Sequence, residues 1–304
     1  MRQNIEIWVG GVPGYKLLDS GNKFKSEEIA GVKIVRAEPR AWWHPQGDTL
    51  GNFLKVSPSE PLETVLDIGV GGIKAKVKYK NTSKHIGIFP EQASQWKFIK
   101  EKIEETNPLD GAHQGEINVL NLFGYTGIAS LVAASSGLKV THVDASKQSV
   151  DWARENQKLS GLGDAPIRWI VDDCLKFIKK EIGRGEKYDC IIMDPPSYGK
   201  GPKGEVWKIE EKLPELLESC KKVLSDNPLF IIFNMYSTEL SSISVMNLLN
   251  EVTKNLGGSL SRGELAIKHH SAEATRREQE NSGRLLPMSI FALWQSGDKS
   301  FDTI

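Results

Sequence analysis

The sequence predicts an α/β fold: a mostly parallel sheet with helices on both faces, preceded by a small β-rich unit. Three observations predict it. Val119 to Ala129, V-L-N-L-F-G-Y-T-G-I-A, reads as a buried strand, a glycine turn and the start of a helix. Further apolar strands follow it at intervals and end in acidic residues, at Asp144, at Asp172-Asp173 and at Asp194. The chain before about residue 60 is broken by Gly10, Gly11, Pro13, Gly14, Gly21, Gly31, Pro39, Pro45, Gly47 and Gly51, which leaves room only for short extended segments.

Taken in order, Val32 to Val35 and the apolar patch around Trp42 and Trp43 read as strands. Trp42, Trp43 and His44 could form a stacking platform for bases, or could pack the small unit onto the large one. Packing is favoured, because a small unit needs aromatic area to be stable. Val65–Ile68 and Ile73–Tyr79 flank Gly69-Val70-Gly71-Gly72 as a β-hairpin. Its second strand alternates Lys74, Lys76, Lys78 and Lys80 with Ala75, Val77 and Tyr79. That cationic face is either a solvated sheet face, the usual meaning of such alternation, or a strip for phosphates. His85 to Trp96 joins the two parts, and a helix runs from Glu91 to Glu105 with Trp96 and Ile99 on one face. A polar loop, Asn107 to Gln114, leads into the first core strand.

After Val119–Leu122, Gly124 and Gly127 allow close backbone approach to a ligand, and a helix N-terminus beginning at Ile128 presents unpaired N–H groups. The pocket is nucleotide-sized; an ordinary βα turn is the competing reading. Strand Lys139–Val143 ends in Asp144, 20 positions past Gly124, where a carboxylate can accept both ribose hydroxyl hydrogens. Ser146 is the expected N-cap of a helix through Leu159. Ile167–Val171 ends in Asp172-Asp173-Cys174, and Leu175, Ile178 and Ile182 mark the next helix. Tyr188–Met193 ends in Asp194-Pro195-Pro196-Ser197-Tyr198. Polar or glycine residues at successive carboxyl ends point to a ligand site there, as in open α/β sheets generally. Lys200–Gly204 reads as a mobile loop, and Val206–Leu224 as a helix that Pro214 should kink or split. Strand Leu229–Phe233, helix Ser241–Leu256 and antiparallel strands Leu260–Ile267 and Met288–Trp294 complete the chain. Lys268–Arg284 reads as an exposed loop, with RNA contact through Arg276, Arg277 or Arg284 as the lesser alternative.

Composition sets the outer bounds. A chain of 304 residues permits one large domain or two ordinary ones. Lys+Arg and Asp+Glu are both 39, so nothing global marks a nucleic-acid binder, and only a local basic patch would do so. The 3 cysteines, Cys174, Cys190 and Cys220, lack metal-ligand spacing, so no metal is expected, and free thiols suit a reducing compartment. The N-terminus lacks the apolar core of a signal peptide, and no run approaches the ~18 apolar residues of a membrane span. A cytoplasmic protein with no membrane partner is expected.

F-G-Y-T-G, then V-D-A-S, D-D-C and D-P-P-S-Y, in this order and spacing, resemble the class I S-adenosylmethionine-dependent methyltransferases. More narrowly, they resemble the bacterial branch that includes the large-subunit ribosomal RNA cytosine-C5 and guanine-N7 methyltransferases. The likeness runs roughly from His85 to Trp294, and the absence of G-x-G-x-x-G argues against a dehydrogenase. It implies a Rossmann-like seven-stranded methyltransferase sheet over residues 89–304, a β-rich domain over residues 1–88, S-adenosyl-L-methionine as cofactor and ribosomal RNA as partner. It assigns to the cofactor Phe89, Glu91 and Gln92 before the sheet; Asn121, Phe123, Gly124, Tyr125, Thr126 and Gly127 at the methionine end; Asp144 with Ser146 at the ribose; Asp173 and Cys174 at the adenine; and Asp194. Asp194, Pro195, Pro196, Ser197 and Tyr198 would face the acceptor as the catalytic segment. The family often has Asp-Gln-Arg where this chain has Glu91-Gln92-Ala93, so the arginine's role is not filled locally.

One chemical point separates this chain from its cytosine-C5 relatives. Carbon-5 is a poor nucleophile, and its methylation needs a cysteine to add at carbon-6. The places where that family puts it hold Asn234-Met235-Tyr236-Ser237 and Ser197. No cysteine nucleophile is therefore expected, and a ring nitrogen such as guanine N7, with its own lone pair, suits the residues better. A methyltransferase for a protein or small molecule, and a non-catalytic RNA-binding module on the cofactor fold, stay open as alternatives.

Overall fold

The computed structural model describes residues 4–45, 61–80, 85–106, 116–236, 239–270 and 283–297. The glycine-punctuated N-terminal region supplies β1 (Glu6–Gly10), β2 (Tyr15–Gly21), β3 (Phe24–Ile29) and β4 (Val32–Ala37). Strands β2, β3 and β4 form an antiparallel meander. Its interior is unusual in being charged. Glu27 is fully buried, accepts Arg36 at 2.6 and 2.7 Å and the Tyr15 hydroxyl at 2.7 Å, and has Lys25 at 3.5 Å. Burial alone would raise this carboxyl; Arg36 and Lys25 overcome that and hold it at about 2. The expected strand at Trp42 and Trp43 is instead an irregular turn, because Asn22 and Lys23 at the β2–β3 tip bond the Trp43 and Ala41 carbonyls and leave no straight partner.

Strands β5 (Leu62–Asp67) and β6 (Lys74–Tyr79) make the expected hairpin. The lysine face of β6 is not a free cationic strip. Lys76 pairs with Glu63 and with Glu155, and Lys78 with Glu155 at 3.7 Å, while Lys78 also lies 5.1 Å from the Trp152 ring centre. A short 3-10 turn, Pro90–Gln92, then opens helix α1 (Ala93–Glu105), which buries Trp96, Ile99 and Ile103.

The remainder alternates as β7 (Asn118–Leu122), α2 (Ile128–Ala134), β8 (Lys139–Asp144), α3 (Lys147–Leu159), β9 (Ile167–Val171), α4 (Cys174–Arg184) and β10 (Cys190–Met193). Next come β11 (Tyr198–Lys200), β12 (Val206–Lys208), α5 (Ile209–Val223), β13 (Phe230–Met235), α6 (Ser242–Thr253), β14 (Ser259–Lys268) and β15 (Leu285–Gln295). Ser146 caps α3 as expected, its side chain accepting the Ser149 N–H, and Ser241 caps α6 the same way. The segment read as a loop and helix start is a hairpin: β11 and β12 pair across residues 201–205, so α5 begins at Ile209 rather than Val206. Pro214 is accommodated inside α5.

The sheet has 8 strands in the order β1-β14-β15-β13-β10-β7-β8-β9. The 7 strands expected of this sheet are present, with β13, β10, β7, β8 and β9 parallel and β15 antiparallel to both β13 and β14. The additional strand is β1, which leaves the N-terminal unit and pairs in parallel with β14 from Glu6–Gly263 to Gly10–Ile267. Strand order reverses between β7 and β10, and such a switch point leaves a crevice at the carboxyl ends. The central strands are apolar on both faces, Val119, Leu120 and Leu122 having no exposure, as helix-covered parallel strands require. Among the described residues no helix is long and apolar enough to cross a membrane. The loop at 107–114, Ser237, Arg276 and Arg277 lie outside the described residues.

Candidate active site

The crevice at the switch point contains a cavity lined by Phe89 and Gln92 at the 3-10 turn, Gln95 from α1, Asn121 from β7, Phe123 to Thr126 from the glycine turn, Asp194 just past β10 and Asn234 from β13. The turn is held from below. Gly124 N–H bonds the Val143 carbonyl, Tyr125 N–H bonds Asp144 Oδ2 at 2.9 Å, and Phe123 N–H reaches Cys174 Sγ at 3.3 Å. Several N–H groups of the turn are therefore spent on the neighbouring strand ends rather than left to a ligand. Phe123 and Tyr125 take φ of +57° and +50°, a left-handed conformation that non-glycine residues rarely adopt. Gly124 has no room for a side chain, since a Cβ there would lie 2.4 Å from the buried His142 ring. Beneath it Asn121 Nδ2 donates to Ser130 Oγ at 2.8 Å, and Ser130 Oγ lies 3.0 Å from His142 Nδ1. Burial pushes His142 down to about 3, so it is neutral.

One side of the cavity is a connected polar unit. Gln92 Nε2 donates to Asp194 Oδ2 at 2.9 Å and to the Tyr236 hydroxyl at 3.1 Å. Tyr236 also lies against the fully buried Glu91 carboxyl, whose Oε1 has no hydrogen-bond partner among the described residues. Gln95 and Asn234 exchange amide hydrogen bonds of 2.8 and 2.9 Å. Burial pushes the Asp194 carboxyl up to about 7; the Gln92 bond opposes this and Glu91 adds to it. Tyr236, Tyr125 and His85 surround the Phe89 ring at centroid distances of 5.3, 5.5 and 5.7 Å.

The residues singled out from sequence do not all meet in one place. Phe89, Gln92, Asn121, Phe123, Gly124, Tyr125, Thr126 and Asp194 line the cavity. Thr126 is buried and its hydroxyl donates to the Gly87 carbonyl at 2.7 Å. Asp144 stands just behind the turn, its carboxyl raised by burial against bonds from Ser146 and Tyr125 N–H. Ser146 and Asp173 act as helix caps, and Asp173 borders a separate depression with Lys176, Lys180 and Trp207. Glu91 and Gly127 lie beside the cavity, and Gly127, at φ +81°, would bring a Cβ to 2.8 Å from Ala153 Cβ. Pro195 is buried, the Pro196 carbonyl accepts Trp207 Nε1 at 2.6 Å, the Ser197 carbonyl accepts Ile209 N–H, and Tyr198 is exposed at the start of β11. Tyr236, Gln95 and Trp207, whose ring centre is 4.9 Å from that of Phe123, carried no clear sequence signal. Only the i, i+3 spacing of Gln92 and Gln95 on one helical face could have found the second glutamine.

All 3 cysteines are buried. Burial pushes Cys174 and Cys190 well above the ordinary thiol value and Cys220 up to about 12. None lines the cavity.

The comparisons with known proteins agree with this geometry. A family model described as S-adenosylmethionine-dependent methyltransferase matches residues 52–231. A crystal structure of the SAM-dependent methyltransferase from Agrobacterium tumefaciens is 35% identical, with a TM-score of 0.83 over 98% of this chain and 98% of that one. A Streptococcus mutans protein described as a candidate SAM-dependent methyltransferase has a TM-score of 0.61 at 19% identity, over 92% of this chain and 75% of that one, a likeness of fold alone. The ribosomal RNA large subunit methyltransferase K/L of Shewanella frigidimarina is 41% identical over 119 residues, 38% of this chain and 16% of the relative. The ribosomal RNA large subunit methyltransferase K of Neisseria meningitidis serogroup B is 32% identical over 127 residues, 41% of this chain and 36% of the relative. The chain thus matches only a minor part of these curated relatives' length.

The cavity suits a sulfonium cofactor on its own chemistry. Its lining carries aromatic faces, amides and the Asp194 carboxyl, and among the described residues contains no lysine, arginine or histidine. A cation there meets ring faces and a carboxyl rather than like charge. The chain belongs to the S-adenosylmethionine-dependent methyltransferases, and S-adenosylmethionine is its cofactor.

Proposed function

We infer that the protein methylates RNA, with ribosomal RNA the favoured substrate, by direct in-line transfer without a covalent enzyme–RNA intermediate. The observation that carries this reading is the Asp194–Gln92–Tyr236 unit beside a cavity that no thiol reaches. RNA as the acceptor is supported by the naming of the curated relatives. With no thiol lining the cavity, a ring nitrogen such as guanine N7, which carries its own lone pair, fits the chemistry best. Residues 1–88 serve as the substrate-recognition domain and residues 89–304 as the catalytic domain, in the cytoplasm.

S-adenosylmethionine, when bound, supplies a methyl group on a good sulfonium leaving group. The chain's own work is then to bind, orient and exclude water, a proximity contribution worth several orders of magnitude. Asp144 and Ser146 take the ribose, Asp173 and Cys174 the adenine, and Phe89, Glu91, Gln92, Asn121 and Phe123 through Gly127 the methionine end. Gln92 holds Asp194 Oδ2 and leaves Oδ1 for an N–H on the edge of the incoming base. Pro195 and Pro196 fix the backbone that carries this carboxyl, and Ser197 and Tyr198 flank the entering nucleotide.

Mass spectrometry of ribosomal RNA nucleosides from a deletion strain beside its parent tests the substrate; loss of one methylated purine is expected. The thiol argument has its own test in Cys174→Ala with Cys190→Ala and Cys220→Ala. The folded variant should retain methyl transfer, and RNA containing 5-fluorocytosine should trap neither protein. Trapping of the parent alone would restore a cysteine mechanism.

A further inference from the structure

We propose that Trp42, with Lys23 beside its ring, is a stacking site for an unpaired base of the RNA substrate, at the same end of the sheet as the active site. The proposal rests on the RNA reading above. Trp42 and Trp43 are neighbours with opposite fates. Trp43 is partly buried against the core and its Nε1 donates to the Ser20 carbonyl at 2.9 Å. Trp42 is 79% exposed, the most exposed of the large hydrophobic side chains among the described residues.

The backbone beneath Trp42 is fixed. Lys23 N–H bonds the Ala41 carbonyl at 2.7 Å, Asn22 N–H bonds the Trp43 carbonyl at 2.8 Å, and Glu38 N–H bonds the Lys23 carbonyl at 2.8 Å. Ala41, between them, is fully buried. A bulky ring held in water on an anchored backbone is preorganised to receive a flat partner, and every base has a face to offer it.

Charge selects the partner. Lys23 Nζ lies 5.3 Å from the Trp42 ring centre, and the Arg284 guanidinium 5.8 Å from that of Trp43 while donating to the His44 carbonyl. The one carboxylate of the 38–45 segment, Glu38, is buried and paired with Arg40 and Lys25. Among the described residues each of the two rings thus has a cation beside it, and a stacked base would carry its phosphates past these side chains.

Position ties the patch to the site. Leu17 of β2 bridges His269 just past β14, His270 N–H bonds the Leu17 carbonyl at 2.7 Å, and Ser20 Oγ lies 2.8 Å from His269 Nε2. Strand β14 runs parallel to β13, both being antiparallel to β15. The meander thus sits at the carboxyl end of β14, the same end of the sheet at which β13 delivers Asn234 and Tyr236.

The test is binding of the full chain to an unmodified large-subunit ribosomal RNA transcript. Trp42→Ala should lose about tenfold in affinity, Trp42→Phe should retain most of it, and S-adenosylmethionine affinity should be unchanged in both. Lys23→Ala should flatten the salt dependence. Ultraviolet cross-linking should map to the peptide that contains Trp42. If the parent binds the transcript and Trp42→Ala binds it equally, with no cross-link at that peptide, the stacking site is wrong while the RNA reading survives. If the parent binds no RNA, both fall. If Trp42→Ala instead converts a dimer to a monomer, the ring belongs to a self-association surface and the proposal is overturned.

Discussion

Asp194 is built against its own charge. Its folded carboxyl titrates near 7, whereas an unfolded aspartate titrates near 3.8. Between these values the folded protein keeps a proton that the unfolded chain has released, so stability falls as pH rises through the window and levels off above about 7. Asp194→Asn removes this penalty. The variant should melt higher than the parent at pH 8, the gap should close towards pH 4, and methyl transfer should be lost; melting curves across that range check the sign. Asp144 works differently, because its two oxygens organise the Tyr125 and Ser146 amides. Asp144→Ala should weaken S-adenosylmethionine binding by roughly 1.5–3 kcal/mol, about ten- to a hundredfold by calorimetry. Undiminished binding would remove Asp144 from the cofactor site.

The β7–α2 turn shows how an element can be specified by what it excludes. Gly127 combines φ +81° with a missing Cβ that would meet Ala153 at 2.8 Å. Gly127→Ala therefore imposes both backbone strain and a clash on a turn already strained at Phe123 and Tyr125. It should cost about 1–3 kcal/mol of stability and abolish detectable cofactor binding, as read by denaturant melts and calorimetry on the same preparation. Full binding at reduced stability would mean that the turn only supports the fold. Element type and caps were legible here from Ser146 and the apolar periodicity, because both are local. The β11–β12 hairpin was not, since its pairing depends on Trp207 burying against Phe123 and bonding the Pro196 carbonyl.

At the scale of the molecule, β1 stitches the N-terminal unit to the sheet. Gly10 lies so close to the Pro90–Glu91 carbonyls, and Gly263 to that of Glu6, that neither position has space for a Cβ. Removing residues 1–10 should uncover the β14 edge and release the turn that carries Glu91 and Gln92. The melting temperature should drop by several degrees, and light scattering should show association through the open edge. A truncated chain that melts and behaves like the parent would show β1 to be ornamental.

The sequence by itself determined the parallel core strands, their acidic and glycine-bearing carboxyl ends, the helix caps and the cofactor class, because each rests on residues adjacent in the chain or on a motif read in order. That no cysteine lines the cavity was also legible, through the residues that stand where a nucleophile would be. Only the tertiary structure decided which distant groups meet. Glu155 neutralises Lys76 and Lys78, Tyr236 and Asp194 share Gln92, β1 finds β14, and one of two adjacent tryptophans is packed while the other stays in water. Periodicity records which side of an element is apolar, but the partner that covers that side is chosen by burial across the whole chain.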